Sequence, residues 1–196
     1  MVPSNKEEVI KQAYDKARIY TPQYRSCSNG TALAIMEAFN IADDSVFKAA
    51  SGLHGGIGGM GDVCGSLLGA SLILGLVCGP GPEESVSPKE EEPDKPGVKD
   101  VPTLLVGQLF KWFRKEFGSV KCRIVRSRFE RELNQDIRIR SLTVEAKQDA
   151  LFTRCDELTA KTAARAAEIL WDIIKTEEKK LKQRGRNLNV RKSHLS

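Results

Sequence analysis

Five cysteines are the residues of this sequence with the most chemistry to offer. No two of them form a C-x-x-C pair. Zinc knuckles, thioredoxin-like dithiols and bacterial ferredoxin loops all use such close pairs. Any site built from these cysteines must therefore join separate segments through tertiary structure. The odd number also does not fit a framework in which every cysteine is disulfide-bonded. The cysteines are Cys27, Cys64, Cys78, Cys122 and Cys155.

Local context separates the five cysteines. We predict Cys64 in the first turn of a helix, Cys27 just before a helix and Cys155 at a helix start. The helix dipole lowers a thiol pKa at such positions, so these three are candidate functional thiols. Cys78 ends an apolar run at the unfavourable end of the dipole, and we expect a small buried hydrophobe there. Cys122 has no comparable local argument.

A glycine-rich stretch, GLHGGIGGMG at 52–61, precedes the second cysteine. It contains a GxGxxG pattern, but the dinucleotide fingerprint needs a preceding strand, and 48–53 looks like a helix end. We therefore reject dinucleotide binding. Glycines let the backbone approach a bound group, and N–H groups leading into a helix at Asp62 would form a nest for anionic atoms. We assign four glycines to cofactor binding: Gly58, Gly59, Gly61 and Gly65.

The histidines offer little catalytic chemistry. His54 lies in the glycine-rich stretch, where it could serve the thiols as a ligand, hydrogen-bond partner or proton carrier; a surface histidine is the equally weighted alternative. His194 lies near the C-terminus and is taken as incidental. No Ser/His/Asp arrangement or paired-carboxylate catalysis can be argued, and whether the chain is an enzyme stays open.

The elements that must position these residues are helices. Apolar residues recur at intervals of three and four, and no clear hairpin signal occurs, so we predict an all-α helical bundle with a glycine-rich loop leading into a buried apolar helix. A turn containing Pro22 is predicted over 21–25, and Gly118 and Gly185 are predicted to end helices. The predicted helices are 1–20 with a Ser4 cap, 29–40, 44–51, 63–77 with an Asp62 cap, 103–117, and 143–184 with a break near Cys155.

Composition divides the chain into four parts. Residues 79–102 hold six of the eight prolines and seven acidic residues, which predicts a mobile linker. The helical half before it, 1–78, carries Cys27 and Cys64. The half after it, 103–184, carries Cys122 and Cys155 and is expected to pack on the first half as one domain. A basic tail, 185–196, completes the chain.

Charge and hydropathy limit the cellular setting. No secretory signal is evident, and the longest apolar run, 63–78, is shorter than the roughly 20 residues that cross a bilayer. We therefore expect no membrane span and a cytoplasmic location, where cysteines more often bind metals or catalyse than form disulfides. The net charge of +5 resides mainly in 175–196, which holds eight Lys/Arg and two Glu.

Basic segments raise a function of another class, binding of nucleic acid or an anionic partner. The candidates are 121–140 and 175–192. The tail lacks aromatic residues for base stacking, and Lys and Arg also suit the C-terminal end of a helix dipole. A solvated helix end is therefore the favoured interpretation, and nucleic acid is not the expected partner. An acidic redox partner could use the same charges.

Four sequence blocks resemble the C-GCAxxG-C-C family of redox-active proteins over most of 8–175. Carried over residue by residue, the family cysteines are Cys27, Cys64, Cys122 and Cys155, which leaves Cys78 as an extra. Ser66 stands where the motif has alanine, and IVRSRF follows Cys122 in place of a Leu-rich, Gly-containing continuation. The blocks are SCSNGTALAI, AASGLHGGIGGMGDVCGSLLGASLILGL, EFGSVKCRIV and CDELTAKTAARAAEILWDII.

The resemblance implies a helical fold and a redox role. A similar four-cysteine arrangement in the C-terminal part of split-Soret cytochromes holds a two-iron two-sulfur cluster. We therefore expect Cys27, Cys64, Cys122 and Cys155 to bind an iron–sulfur cluster of this type for electron transfer. Metal-free thiol/disulfide exchange between two cysteine pairs is the first alternative, and structural zinc is the second. A protein redox partner is expected, and a homodimer is a further hypothesis.

Overall fold

The computed structural model describes residues 5–41, 43–82 and 100–193. A 3-10 turn, Ser51–Leu53, follows the third helix. Within the described residues no β-strand occurs, and Val63 and Lys121 form an isolated antiparallel bridge. The all-α prediction is confirmed. The helices are α1 Lys6–Tyr24, α2 Cys27–Ala38, α3 Asp44–Ala50, α4 Gly65–Cys78, α5 Asp100–Phe117, α6 Cys122–Gln135, α7 Ile137–Arg140 and α8 Val144–Ser193.

Four helices, α1, α2, α4 and α8, form the core. Helix α1 packs on α2 and α8, α2 also packs on α4, and α5 packs on α4. Small residues permit these close approaches: Ala13 and Ala17 of α1 are fully buried, and a Cβ at Gly69 of α4 would collide with the carbonyl oxygen of Ser28. The tight α2–α4 contact sets the start of α2 beside the start of α4.

The first two helices differ from the predictions at their ends. Asn5 caps α1 through bonds from Glu7 N and Glu8 N; the predicted Ser4 cap lies outside the described residues. Helix α1 continues through Pro22 to Tyr24, so the predicted 21–25 turn is wrong. Pro22 lies in the last turn of α1, where its missing N–H removes one helix bond without ending the helix. The Ser26 side chain accepts from Asn29 N, and α2 therefore starts at Cys27, earlier than predicted.

Helix α4 starts later than predicted. Its N-cap is Cys64, which makes no side-chain capping bond, so the predicted Asp62 cap is wrong. The physical reason lies in the preceding residues, 61–64, whose backbone bonds to a distant segment and cannot join the helix.

The last helix is longer and more regular than predicted. Helix α8 runs through Cys155 without a break and does not end at Gly185. One glycine costs a helix only about 1 kcal/mol relative to alanine, too little to end a long helix by itself. Side chains beyond residue 180 lie outside the described part of the chain, and so does the predicted role of the basic tail.

The linker prediction falls largely on 83–99, which is outside the described residues. Helix α5 begins at Asp100 and ends before Gly118, whose φ of 77° and N–H bond to Arg114 O match the predicted glycine stop. Over the ranges that the structure covers, no helix combines the length and apolar character needed to cross a membrane.

Candidate functional site

A backbone clamp between 61–64 and 120–123 brings Cys64 next to Cys122. We call these two segments the clamp. They lie on opposite sides of the 79–102 segment in sequence, so the clamp connects the N-terminal and C-terminal helices. Its hydrogen bonds run from Cys64 N to Val120 O at 2.8 Å, Cys122 N to Asp62 O at 2.6 Å and Arg123 N to Gly61 O at 3.0 Å.

The third thiol, Cys27, sits where two helices and the glycine loop converge. The backbone N–H groups of Cys27 and Ser28 at the start of α2, of Ser66 at the start of α4, and of Gly55 act to lower the pKa of this thiol. A Cβ at Gly65 would lie 2.6 Å from Cys27 Sγ and 2.8 Å from Leu53 O. The absence of a side chain at Gly65 thus creates room for the thiol.

The fourth thiol, Cys155, comes from the middle of α8. Electrostatic interactions join Cys155 to Cys122 and Cys27, and join Cys64 to the same two thiols. The structure thus brings together the four cysteines that the sequence analysis selected. Their role as ligands stays a prediction. Within the described ranges, no group of three or more His, Cys, Asp and Glu side chains could hold a metal ion.

Cys78 stands apart from the other cysteines. It is the last residue of α4, whereas Cys64 caps the first turn, and at 1.5 Å per residue the two are about 20 Å apart. Burial alone raises the pKa of the Cys78 thiol, without a contribution from another cysteine. Cys78 packs against the hydrophobic core, but it is only partly buried rather than the buried residue that was predicted.

Comparison with known families identifies a family for this chain, and the range that matches contains all five cysteines. The sequence model of the family described as "Putative redox-active protein (C_GCAxxG_C_C)" matches residues 25–169, well over half of the chain. The chain belongs to this family. Neither the curated proteins nor the solved structures contain a match.

Burial, rather than the helix dipole, determines the pKa values of the four grouped thiols. Desolvation raises the pKa of all four grouped cysteines, and raises those of Cys64 and Cys155 to about 12. The prediction of a lowered Cys64 pKa is wrong because the thiol is fully enclosed, which penalises the thiolate more than the helix start stabilises it. Cys155 is not at a helix start at all. For Cys27, burial outweighs the stabilising N–H bonds.

We expect the reduced, metal-free protein to resist alkylation at Cys64 and Cys155. With a pKa of about 12 instead of the unfolded value near 8.5, the thiolate population at pH 7 falls roughly a thousandfold. Iodoacetamide labelling followed by peptide mass analysis measures this, with urea-unfolded protein as the control. Equal labelling rates in folded and unfolded protein at pH 7 would contradict it.

The same shift predicts how pH acts on stability. The folded pKa lies above the unfolded one, so the stabilising contribution is fully present below about pH 8.5 and is lost as pH rises toward 12. The metal-free protein should therefore unfold at lower urea concentration at pH 10 than at pH 7.

Arg126 is a site residue that the sequence analysis did not single out. It lies one turn after Cys122 in α6 and lowers the pKa values of both Cys122 and Cys155 electrostatically. Its guanidinium carbon lies 5.9 Å from the ring centroid of Phe152, one turn before Cys155 on α8. Arg126 makes no ion pair with any residue in the described ranges. The sequence signal for Arg126 was its position four residues after Cys122, about one helical turn along the same face.

The glycine loop, 55–61, approaches the Cys122 side chain through Gly56. A Cβ at Gly56 would lie 2.8 Å from Cys122 Cβ and 2.6 Å from Asp62 N. Sequence reasoning named Gly56 only within the rejected fingerprint, since the glycine pattern does not reveal which residue faces a partner. Asp62 N bonds to Gly56 O, so the expected nest at Asp62 is closed.

The assigned glycines occupy different positions. Gly58 and Gly59 are exposed, with no atom within 4 Å of an added Cβ, whereas Gly61 packs against Arg123 Cβ. Their N–H groups bond to carbonyls of Gly52, His54 and Gly55, respectively. Gly65, by contrast, lies against Cys27. A direct contact of these glycines with a cofactor stays a prediction.

His54 faces solvent. Its Nδ1 lies 2.9 Å from Ser51 O, and its Cα would be 3.0 Å from a Cβ at Gly65. The backbone of His54 therefore adjoins the thiol site, while its imidazole bonds away from it. This placement favours the surface interpretation.

Proposed function

We propose that the protein is an electron carrier in which Cys27, Cys64, Cys122 and Cys155 bind an iron–sulfur cluster of the two-iron two-sulfur type. The carrying observation is the convergence of four thiols from separate segments, in which Cys27 and Cys122 act to raise the pKa of both Cys64 and Cys155, in a family described as redox-active. Ligation by four cysteines serves both two-iron and four-iron clusters.

The chemistry around the thiols fits such a group. N–H groups near a ligand sulfur help set the potential of an iron–sulfur cluster, and the backbone N–H groups around Cys27 act to lower the pKa of its thiol. The hydroxyl oxygen of Ser66 lies 3.3 Å from Cys64 Sγ. Arg126 supplies positive charge opposite Cys122 and Cys155. Four thiolates held together need this compensation.

A single structural zinc is less well supported than a cluster. Zinc sites usually draw their ligands from closely spaced cysteine pairs, and this sequence contains no C-x-x-C pair. A two-iron cluster distributes its ligands over two irons, so only two sulfurs must converge on each metal.

Thiol/disulfide exchange is the less well supported alternative. Exchange requires an accessible thiol with a low pKa. Here burial raises the pKa of every thiol in the group, and all five cysteines are free. Metal binding does not need a low pKa in the free protein, because ligation itself displaces the thiol protons.

The chain's residues would perform the supporting roles in electron transfer. A bound cluster supplies a centre that gains and loses one electron. Packing around Cys64 excludes water from that thiol, because this residue is only 6% exposed. The N–H groups at Cys27 and the guanidinium of Arg126 stabilise negative charge, which increases on reduction.

Metal and sulfide analysis tests the proposal. Protein purified without oxygen should contain about two irons and two acid-labile sulfides per chain and absorb visible light. A dithionite-reduced sample should give an electron paramagnetic resonance signal. Protein without iron, sulfide or colour, but with a reversible loss of free thiols on oxidation, would instead support thiol exchange.

A further inference from the structure

The glycine loop presents two large apolar side chains to solvent. Between residues 55 and 61, the non-glycine residues are Ile57 and Met60, which are 46% and 75% exposed. Ile57 has a φ of 62°, an unfavourable backbone conformation for a β-branched residue that glycine would adopt at lower cost. Because both side chains are exposed, packing within the fold does not explain why large apolar residues occupy these two positions.

These side chains belong to the loop that approaches Cys122 and Arg123. Cys122 is the least buried of the four grouped thiols. Ile57 adjoins Gly56, which contacts Cys122, and Met60 adjoins Gly61, which packs on Arg123. Ile124, the residue after Arg123, is a third exposed apolar side chain, at 49%.

Basic side chains border this apolar group. Lys121 and Arg123 flank Cys122 in sequence, and Arg126 follows one turn later. Arg123 is exposed and makes no ion pair within the described ranges; Lys121 Nζ reaches only to 3.8 Å from the Asp62 carboxylate. Asp62 is the acidic residue of the clamp, and the first acidic residue of α6, Glu130, lies two turns after Cys122. The border is therefore net positive.

We propose that Ile57, Met60, Ile124, Lys121, Arg123 and Arg126 form a docking surface for an acidic one-electron carrier protein. The inference rests on the proposed cluster and deepens it. An apolar centre enriched in Met and Arg is typical of protein interfaces, and the positive border selects an acidic partner and steers its approach. One electron passes between the partner's redox centre and the cluster through the Cys122 side; no bond or proton is exchanged.

Two protein oxidants of opposite charge test the docking surface. Reduced, cluster-loaded protein is mixed in a stopped-flow instrument with acidic plastocyanin or with basic cytochrome c, and cluster oxidation is followed by absorbance. At low ionic strength we expect faster oxidation by plastocyanin, with a rate that falls as salt is added. Arg123→Glu should slow plastocyanin at least fivefold and remove most of the salt dependence.

Two further variants complete the design. Met60→Ser should slow plastocyanin without changing the salt dependence, because it removes apolar contact area and no charge. Lys179→Glu is the matched charge control: Lys179 is exposed on α8, about 36 Å along the helix from Cys155, and its variant should behave as the parent. Iron content and visible spectra of all variants should equal those of the parent.

The outcomes separate the two proposals. The docking surface would be overturned if cluster-loaded Arg123→Glu and Met60→Ser were oxidised as fast as Lys179→Glu and the parent. That result would leave the cluster proposal standing. Parent protein without iron would overturn the cluster itself. A parent that sediments as a dimer, with Met60→Ser monomeric, would assign the surface to a second copy of the chain and overturn the acidic partner.

Discussion

Cys27→Ser protein is expected to retain its helical fold and to lose its iron–sulfur cluster. A serine hydroxyl is close in size to the thiol and can still accept from the neighbouring N–H groups of Gly55, Ser28 and Ser66, so the metal-free fold should lose little stability. A serine oxygen is a much poorer ligand for cluster iron than a cysteine thiolate, however, and replacing one ligand of four should lower bound iron and sulfide at least tenfold. Iron and sulfide assays, together with circular dichroism, measure both effects.

Cys78→Ser provides the matched control because the same substitution is made about 20 Å from Cys64. It should keep the full iron and sulfide content and the parent spectrum. If Cys78→Ser lost iron while Cys27→Ser retained it, the division of the five cysteines into four ligands and one core residue would be wrong.

Gly56→Ala should prevent cluster binding although all the cysteines are retained. The added Cβ would lie 2.6 Å from Asp62 N and 2.8 Å from Cys122 Cβ, both parts of the clamp, and the φ of 79° disfavours alanine. Overpacking and the left-handed backbone together should cost about 2–5 kcal/mol of unfolding free energy. Urea unfolding of metal-free protein and iron content after reconstitution test this.

Two glycine variants isolate the cause. Gly58 also has a positive φ, 59°, but an added Cβ meets no atom within 4 Å, so Gly58→Ala should cost only about 1–2 kcal/mol and keep the cluster. Gly75 lies in α4 with open space, and Gly75→Ala should be neutral or stabilise by up to about 1 kcal/mol. Retention of full iron by Gly56→Ala would contradict a close approach of the loop to Cys122.

Local sequence signals predicted the helices well and the site less well. Gly118 ends α5 as expected, and the predicted 44–51 helix is close to the observed α3. Such features depend on neighbouring residues. Asp62 looked like a good cap for α4, but its carbonyl bonds to Cys122 N, 60 positions away along the chain. No short-range pattern contains that pairing.

Electrostatics at the site show the same division. The sequence correctly indicated that Cys64 lies near the start of a helix. The pKa of its thiol, however, depends on burial by residues from distant segments. Likewise, Gly56 and Gly58 are equivalent in the sequence pattern, and only the fold places one against Cys122. The four-cysteine grouping was predictable because it came from the resemblance, which already contains long-range information.

The backbone N–H groups that act to lower the Cys27 pKa have a consequence for the speed of electron exchange. These groups belong to the starts of α2 and α4 and to the glycine loop, so their directions are set by the fold. An electron arriving at a cluster ligated there meets dipoles that are already oriented, and little nuclear rearrangement has to accompany it. The reorganisation energy is then small, and the distance to the partner's redox centre and the driving force govern the rate.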